Sequence, residues 1–175
     1  MRPVLAFVVV VLAALLSPVV AMAQTFDPKE IETFNKLAVV ERAYILKTAE
    51  NLLMPNLKNM ADDPENKKDG YLWASKVTAL WYASLSKDAE SLQVPMLAGL
   101  YKDKSALLVM RIQGKINAQQ LESGETAIEQ KKQLVLESML ADAPKRPTIP
   151  IQQLNAAAEL MANKTHGLSV LRASK

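Results

Sequence analysis

"GYLWASKVTALWYASLS", residues 70–86, gathers Tyr71, Trp73, Trp81 and Tyr82 around a single charge, Lys76. The whole chain has only 2 Trp, 4 Tyr and 3 Phe, so this stretch is where its aromatic content concentrates. Placed at about 100° per residue, Trp73, Val77, Leu80 and Ser84 share one helical face, which Trp81 and Leu85 widen. Tyr71 and Tyr82 fall nearly opposite, beside Ser75 and Thr78. A surface helix would show a clean polar half. Here only Lys76 interrupts the apolar surface, at the edge of the Trp73 face. The spacing predicts a central helix contacted on several sides, with tyrosines burying their rings while their hydroxyls stay hydrogen-bonded.

Two other readings of the stretch compete with core packing. Its length, Lys76, Thr78 and the nearby serines exclude a membrane span. A cavity for a small apolar ligand, lined by Trp73, Val77 and Trp81, is the alternative kept open.

Helical signals extend on both sides. In "DPKE", Asp27 suits an N-cap, Pro28 the first helical position, and Glu30 the N3 position of a capping box. Ile31, Phe34, Leu37, Ala38, Val40, Tyr44 and Ile45 then recur at helical spacing, predicting one helix to about Leu53; Pro55 follows closely, and "NLKNM", residues 56–60, can add a further short turn. "ADDPENKK", residues 61–68, reads as a loop, and Asp69 can cap the aromatic helix. Ser86, with Glu90 behind it, marks the start of a further helix, and Pro95 a break with another helix after it. "LLVMRI" within residues 105–112 fits either a helix or a short strand, and its helical surroundings favour helix. Gly114 is a stop, and Asn117 with Gln120 forms a capping box opening a helix to about Asp142. That helix is expected to expose Glu122, Glu125 and Glu129, then Lys131 and Lys132. A last helix from Ile151 ends at Gly167. The fold class is therefore all-α: a single-domain bundle of five or six helices.

The first 23 residues are set apart from this domain. Arg2 begins a short basic region, Val4–Leu16 is apolar, and Pro18 with Ala21 and Ala23 supplies a cleavage region. This is the three-part form of a secretory signal, cut after Ala23. It implies a domain of 175 − 23 = 152 residues, 24–175, periplasmic or secreted, touching a membrane only through the signal segment if uncleaved. With no cysteine in the chain, disulfides and thiolate metal sites are excluded. Charge is uneven: residues 24–143 carry 15 basic and 17 acidic side chains, and residues 144–175 carry 5 and 1.

Motifs for chemistry fail one by one. A di-iron bundle needs paired Glu-x-x-His motifs, and the chain has one histidine, His166, placed where a cation suits a helix end. The acidic loop before Gly70 puts Lys67 where a calcium loop requires an oxygen ligand. "SLSK", residues 84–87, matches S-x-x-K but lacks the companion motifs. The glycines are isolated, so no loop cradles a phosphate, and no basic, aromatic-interleaved face suits nucleic acid. No cofactor is implied.

One segment stands out by geometry. In "APKRPTIP", Pro144, Pro147 and Pro150 are three apart, so in polyproline II their rings line one side with Lys145 and Arg146 beside them. Aromatic-grooved modules recognise that arrangement, although a stiff crossover between helices also accounts for it. The sequence thus predicts an exported, non-catalytic helical protein acting on another envelope or exported protein, as adaptor, chaperone or inhibitor. The alternative is a periplasmic carrier of a small apolar ligand.

Overall fold

The computed structural model describes Glu32 and residues 34–62, 70–141 and 149–164. They form five helices: α1 (Val39–Asp62), α2 (Gly70–Ser91), α3 (Pro95–Ile112), α4 (Ala118–Ala141) and α5 (Ile151–Lys164). No strand occurs among the described residues, so the all-α reading holds, and residues 105–112 are helical. The expected signal segment, the start of the first expected helix, the expected 61–68 loop beyond Asp62, Pro144–Pro147 and His166 lie outside the described residues.

Side-chain contacts fix the directions of the helices. Arg42 of α1 reaches the Leu92 carbonyl, while Glu50 meets Tyr82, so α1 and α2 run antiparallel. Ser86 donates to the Ala98 carbonyl at 2.9 Å and Ser105 to the Ala79 carbonyl at 2.7 Å, so α2 and α3 are antiparallel too. Lys104 meets Glu129, and the Leu107 side chain closes on Gly124, giving the same relation between α3 and α4. Helix α4 returns to α1 through Lys132 and Glu50. This is an up-down-up-down four-helix bundle. Helix α5 packs on α1, burying Leu154, Ala158, Met161 and Ala162, spaced four, three and one residue apart.

Local chemistry explains most boundaries. The Glu41 carboxylate accepts the Ala38 N–H at 2.8 Å, the back-bonding half of a capping box, and α1 starts there. This corrects the single helix expected up to Leu53: residues 36–38 form a turn, and a new helix begins at Val39. The helix also continues through Pro55 to Asp62. Proline forfeits one helical hydrogen bond, a cost of about 3 kcal/mol in a helix interior, which the packing of α1 between α2, α4 and α5 outweighs.

The second correction concerns Ser86. It does not begin a new helix, because its hydroxyl is spent on α3 and α2 continues to Ser91. The real stop is a Schellman motif. Val94 N–H reaches the Ala89 carbonyl and Gln93 N–H the Glu90 carbonyl, with Gln93 left-handed at φ 55°. Pro95 then opens α3 at N1, as its fixed φ allows. The same motif ends α3 at Gly114, whose φ of 68° suits glycine. Asn117 and Gln120 exchange side-chain and backbone hydrogen bonds at 2.8 and 2.9 Å, completing the expected capping box of α4.

The aromatic stretch does occupy the middle of the bundle. Val77, Trp81, Tyr82 and Leu85 are buried, and Lys76 is exposed. The Trp81 and Tyr82 rings lie 4.9 Å apart and Tyr82 stacks on Tyr101 of α3 at 6.0 Å, an aromatic column across the core.

Candidate functional site

The core contains charge as well as rings. Lys132 of α4 donates to both carboxylate oxygens of Glu50 of α1, at 2.8 and 2.9 Å. Glu129, one turn before Lys132 on α4, bridges two ammonium groups, Lys132 at 2.6 Å and Lys104 of α3 at 2.7 Å. The Lys104 ammonium also stands 4.7 Å above the Tyr82 ring, in cation–π contact. The Tyr82 hydroxyl donates to Glu50 Oε1 at 2.9 Å, and Tyr101 donates to Oε2 at 3.5 Å. The circuit runs Glu50–Lys132–Glu129–Lys104–Tyr82 and back to Glu50. Two carboxylates and two ammonium groups cancel; α1, α2 and α3 contribute one member each, and α4 contributes two.

Each member follows from its place on a helix. Lys104 sits on α3 between Tyr101 and Leu108, and Lys132 on α4 between Ile128 and Leu136. Those spacings put each lysine on its helix's inward stripe. Glu50 holds the same position on α1, seven residues after Ala43 and four after Leu46. Their long stems pack as apolar chains, and their heads meet at one level. Glu129 lies at the rim: its side chain is 45% exposed, so the circuit touches water there.

The electrostatics fix what these groups can do. Burial alone would raise the Glu129 carboxyl, but hydrogen bonds from Lys104 and Lys132 hold it below the usual carboxylate value. Burial, with Glu50 beside it, pushes the Tyr82 hydroxyl far up, and the same two causes act on Tyr101. Both tyrosines therefore keep their protons and act as donors to Glu50. An ionised side chain that satisfies another ionised side chain locks helix register, since a shift of one helix breaks two or more charged contacts at once.

The sequence-predicted residues fall elsewhere. Val77 and Trp81 are buried on α2, while the Trp73 side chain lies outside the described residues. Trp81 Nε1 is buried without an acceptor. Of the connector, Ile149 and Pro150 are described: Ile149 packs half-buried against the core, while Pro150 is exposed and its carbonyl accepts the Gln153 and Leu154 N–H groups at the start of α5. The structure does not bring it to the charged circuit. Lys132, expected on the exposed face of α4, is instead buried against Glu50, because it continues the stripe of Leu121, Ile128 and Leu136. Glu50, Lys104 and the role of Tyr101 were not foreseen. The readable signal was one ionisable residue on each otherwise apolar stripe.

Among the described residues no helix is long and apolar enough to cross a membrane, and no group of three or more His, Cys, Asp or Glu could hold a metal. Comparison with known proteins finds no matching family model, no matching curated protein and no matching solved structure.

Proposed function

We propose that this chain is an exported, non-catalytic helical bundle that binds another protein of the bacterial envelope, as an adaptor, chaperone or inhibitor. The observation that carries the reading is the exposure of large apolar side chains on both sides of the proline-spaced connector. Leu134 and Leu140 on α4 are 65% and 64% exposed, and Ile151 opens α5 with its side chain also in water. Single exposed leucines are ordinary on a protein surface. Here three bracket a segment that holds Pro144, Lys145, Arg146, Pro147 and Pro150. Exposed apolar side chains on either side, in sequence, of a basic proline-spaced segment suit an acidic, partly apolar partner. The interior charges, in contrast, are engaged with one another and serve the scaffold.

The test is capture of a stoichiometric partner from envelope extracts, followed by reconstitution with the identified protein. Leu134→Asp with Leu140→Asp, and separately Lys145→Glu with Arg146→Glu, should each weaken the purified complex at least tenfold without lowering the melting temperature. Affinity unchanged by both pairs would remove this surface from the proposal.

A carrier role is favoured by one observation, the buried Trp81 Nε1 without an acceptor. A ligand oxygen placed there would satisfy it. Trp81 emission and thermal stability that respond to no fatty acid or apolar dye would end that reading.

A further inference from the structure

The last full turn of α2 carries a carboxylate that forms no ion pair among the described residues. Asp88 is 9% exposed, and its Oδ2 has no hydrogen-bond partner. Its own carbonyl accepts the Leu92 N–H at 2.8 Å, so Asp88 belongs to the turn that closes the α2–α3 corner. Helix carbonyls end there, adding partial negative charge beside the carboxylate. In the same corner Gln93 holds a left-handed backbone, which a residue with a Cβ adopts at a cost of order 1 kcal/mol. A carboxylate with no ion-pair partner among the described residues and a strained linker residue therefore lie five positions apart in the chain.

Among the described residues, neighbouring elements add little compensation; before α1, where Asn35 reaches the Ser91 carbonyl, Lys36 is exposed and paired with Glu32. On α2 itself, Lys87 is exposed and Glu90 is exposed. The Ser86–Ala98 bond sets α3 level with this turn at residues 95–101, Pro-Met-Leu-Ala-Gly-Leu-Tyr, which carry no charge. On α1, the segment level with Asp88 buries Ala43, Ile45, Leu46 and Ala49, with Lys47 half-buried. Arg42 lies a turn further on, and its Nη1 is engaged by the Leu92 carbonyl at 2.6 Å and Asn35 at 3.3 Å.

We propose that Asp88 is a pH-sensitive latch on the α2–α3 corner. With its proton on, the carboxyl stays buried and the corner stays closed. Ionised, it draws the end of α2 toward water, and the corner opens, because a lone buried carboxylate is far costlier than a neutral carboxyl. Opening would uncover Leu92 and Val94, both fully buried, and would release Arg42 from the Leu92 carbonyl. The latch therefore links pH to the joint between α1 and α2, independently of the proposed partner surface.

The pH range follows from burial, which pushes the Asp88 carboxyl up to about 7 while Lys87 pulls it down. In the open corner the carboxyl returns toward its ordinary 3.8. A carboxyl raised in the closed form stabilises that form fully below the lower value. The stabilisation declines as pH rises and is lost by the time pH has passed the upper one. The corner is thus tight in mild acid and loose above neutrality.

Hydrogen exchange tests this directly. Protection of a peptide spanning residues 85–98, corrected for intrinsic exchange, should fall about tenfold or more between about pH 5.5 and about pH 8.5. A peptide from the start of α4 should not follow it. In Asp88→Asn the 85–98 peptide should lose its pH dependence; the same loss of protection in variant and unaltered protein would overturn the proposal. Should the variant not fold, a carbon NMR titration of the Asp88 carboxyl in the unaltered protein decides. A midpoint near 7 supports the latch, and one below about 5 sinks it.

Discussion

Glu50 and Lys132 stand 82 residues apart in the chain, and both carboxylate oxygens of the first lie within 2.9 Å of the ammonium of the second. The pair joins the first and fourth helices of the bundle across a nearly dry interior, and most of what can be tested follows from it.

Removing one partner should cost far more than removing both charges. Lys132→Met strands the Glu50 carboxylate among apolar and aromatic neighbours, a loss of about 3–5 kcal/mol in urea unfolding. Adding Glu50→Gln restores neutrality and leaves a carbonyl oxygen for the Tyr82 hydroxyl, while Glu129 keeps Lys104. The double variant should recover most of the loss. A double variant as unstable as the sum of the singles would show that the two residues do not act as a pair.

Tyr82 holds the circuit by its hydroxyl and by its ring, and two substitutions separate them. Tyr82→Phe keeps the face under Lys104 and deletes a hydrogen bond to a charged acceptor, worth about 1.5–3 kcal/mol. Tyr82→Leu also removes the contacts with Trp81 and Tyr101, and its cost should rise to about 3–5 kcal/mol. Thermal melts of the two variants against the unaltered protein measure the difference.

The two Schellman corners predict opposite signs for opposite exchanges. Gln93→Gly relieves a left-handed glutamine and should stabilise the fold by about 0.5–1 kcal/mol. Gly114→Ala imposes the same strain and should destabilise it by about 1 kcal/mol, with the lack of any atom near the new Cβ ruling out a clash as the cause. Equal signs in denaturant titration would refute the assignment.

In acid, Glu129 sets the limb opposite to that of Asp88. Its carboxyl is lowered in the folded protein, so the stability it contributes is present above the ordinary carboxylate value and is lost as pH falls through the folded one. Melting temperature should therefore decline below about pH 4.5, and Glu129→Gln should flatten that decline while lowering stability at neutral pH.

The fold class was legible because helical spacing, caps and prolines agree over most of the chain. Pro95, Gly114 and the Asn117–Gln120 box act through local backbone chemistry, which the sequence states outright. Ser86 misled for the opposite reason: its hydroxyl had a better partner on another helix, the Ala98 carbonyl, and only tertiary packing reveals that. Pro55 is tolerated inside α1 on the same grounds. The charged circuit was half visible. Lys132 interrupts an apolar stripe, yet its partner Glu50 is identified only once the topology brings α4 back to α1. The connector is legible in sequence alone, so the proposed partner surface rests on the exposed Leu134 and Leu140 that precede it in the chain.

The 82-residue separation also sets an order on assembly during synthesis. At about 5–20 residues per second, Glu50 leaves the ribosome roughly 4–16 s before Lys132. Until then the Glu50 carboxylate has its tyrosine donors, Tyr82 and Tyr101, but not its ion-pair partner. The charge pairing at the centre of the bundle is thus completed only once the fourth helix has been made.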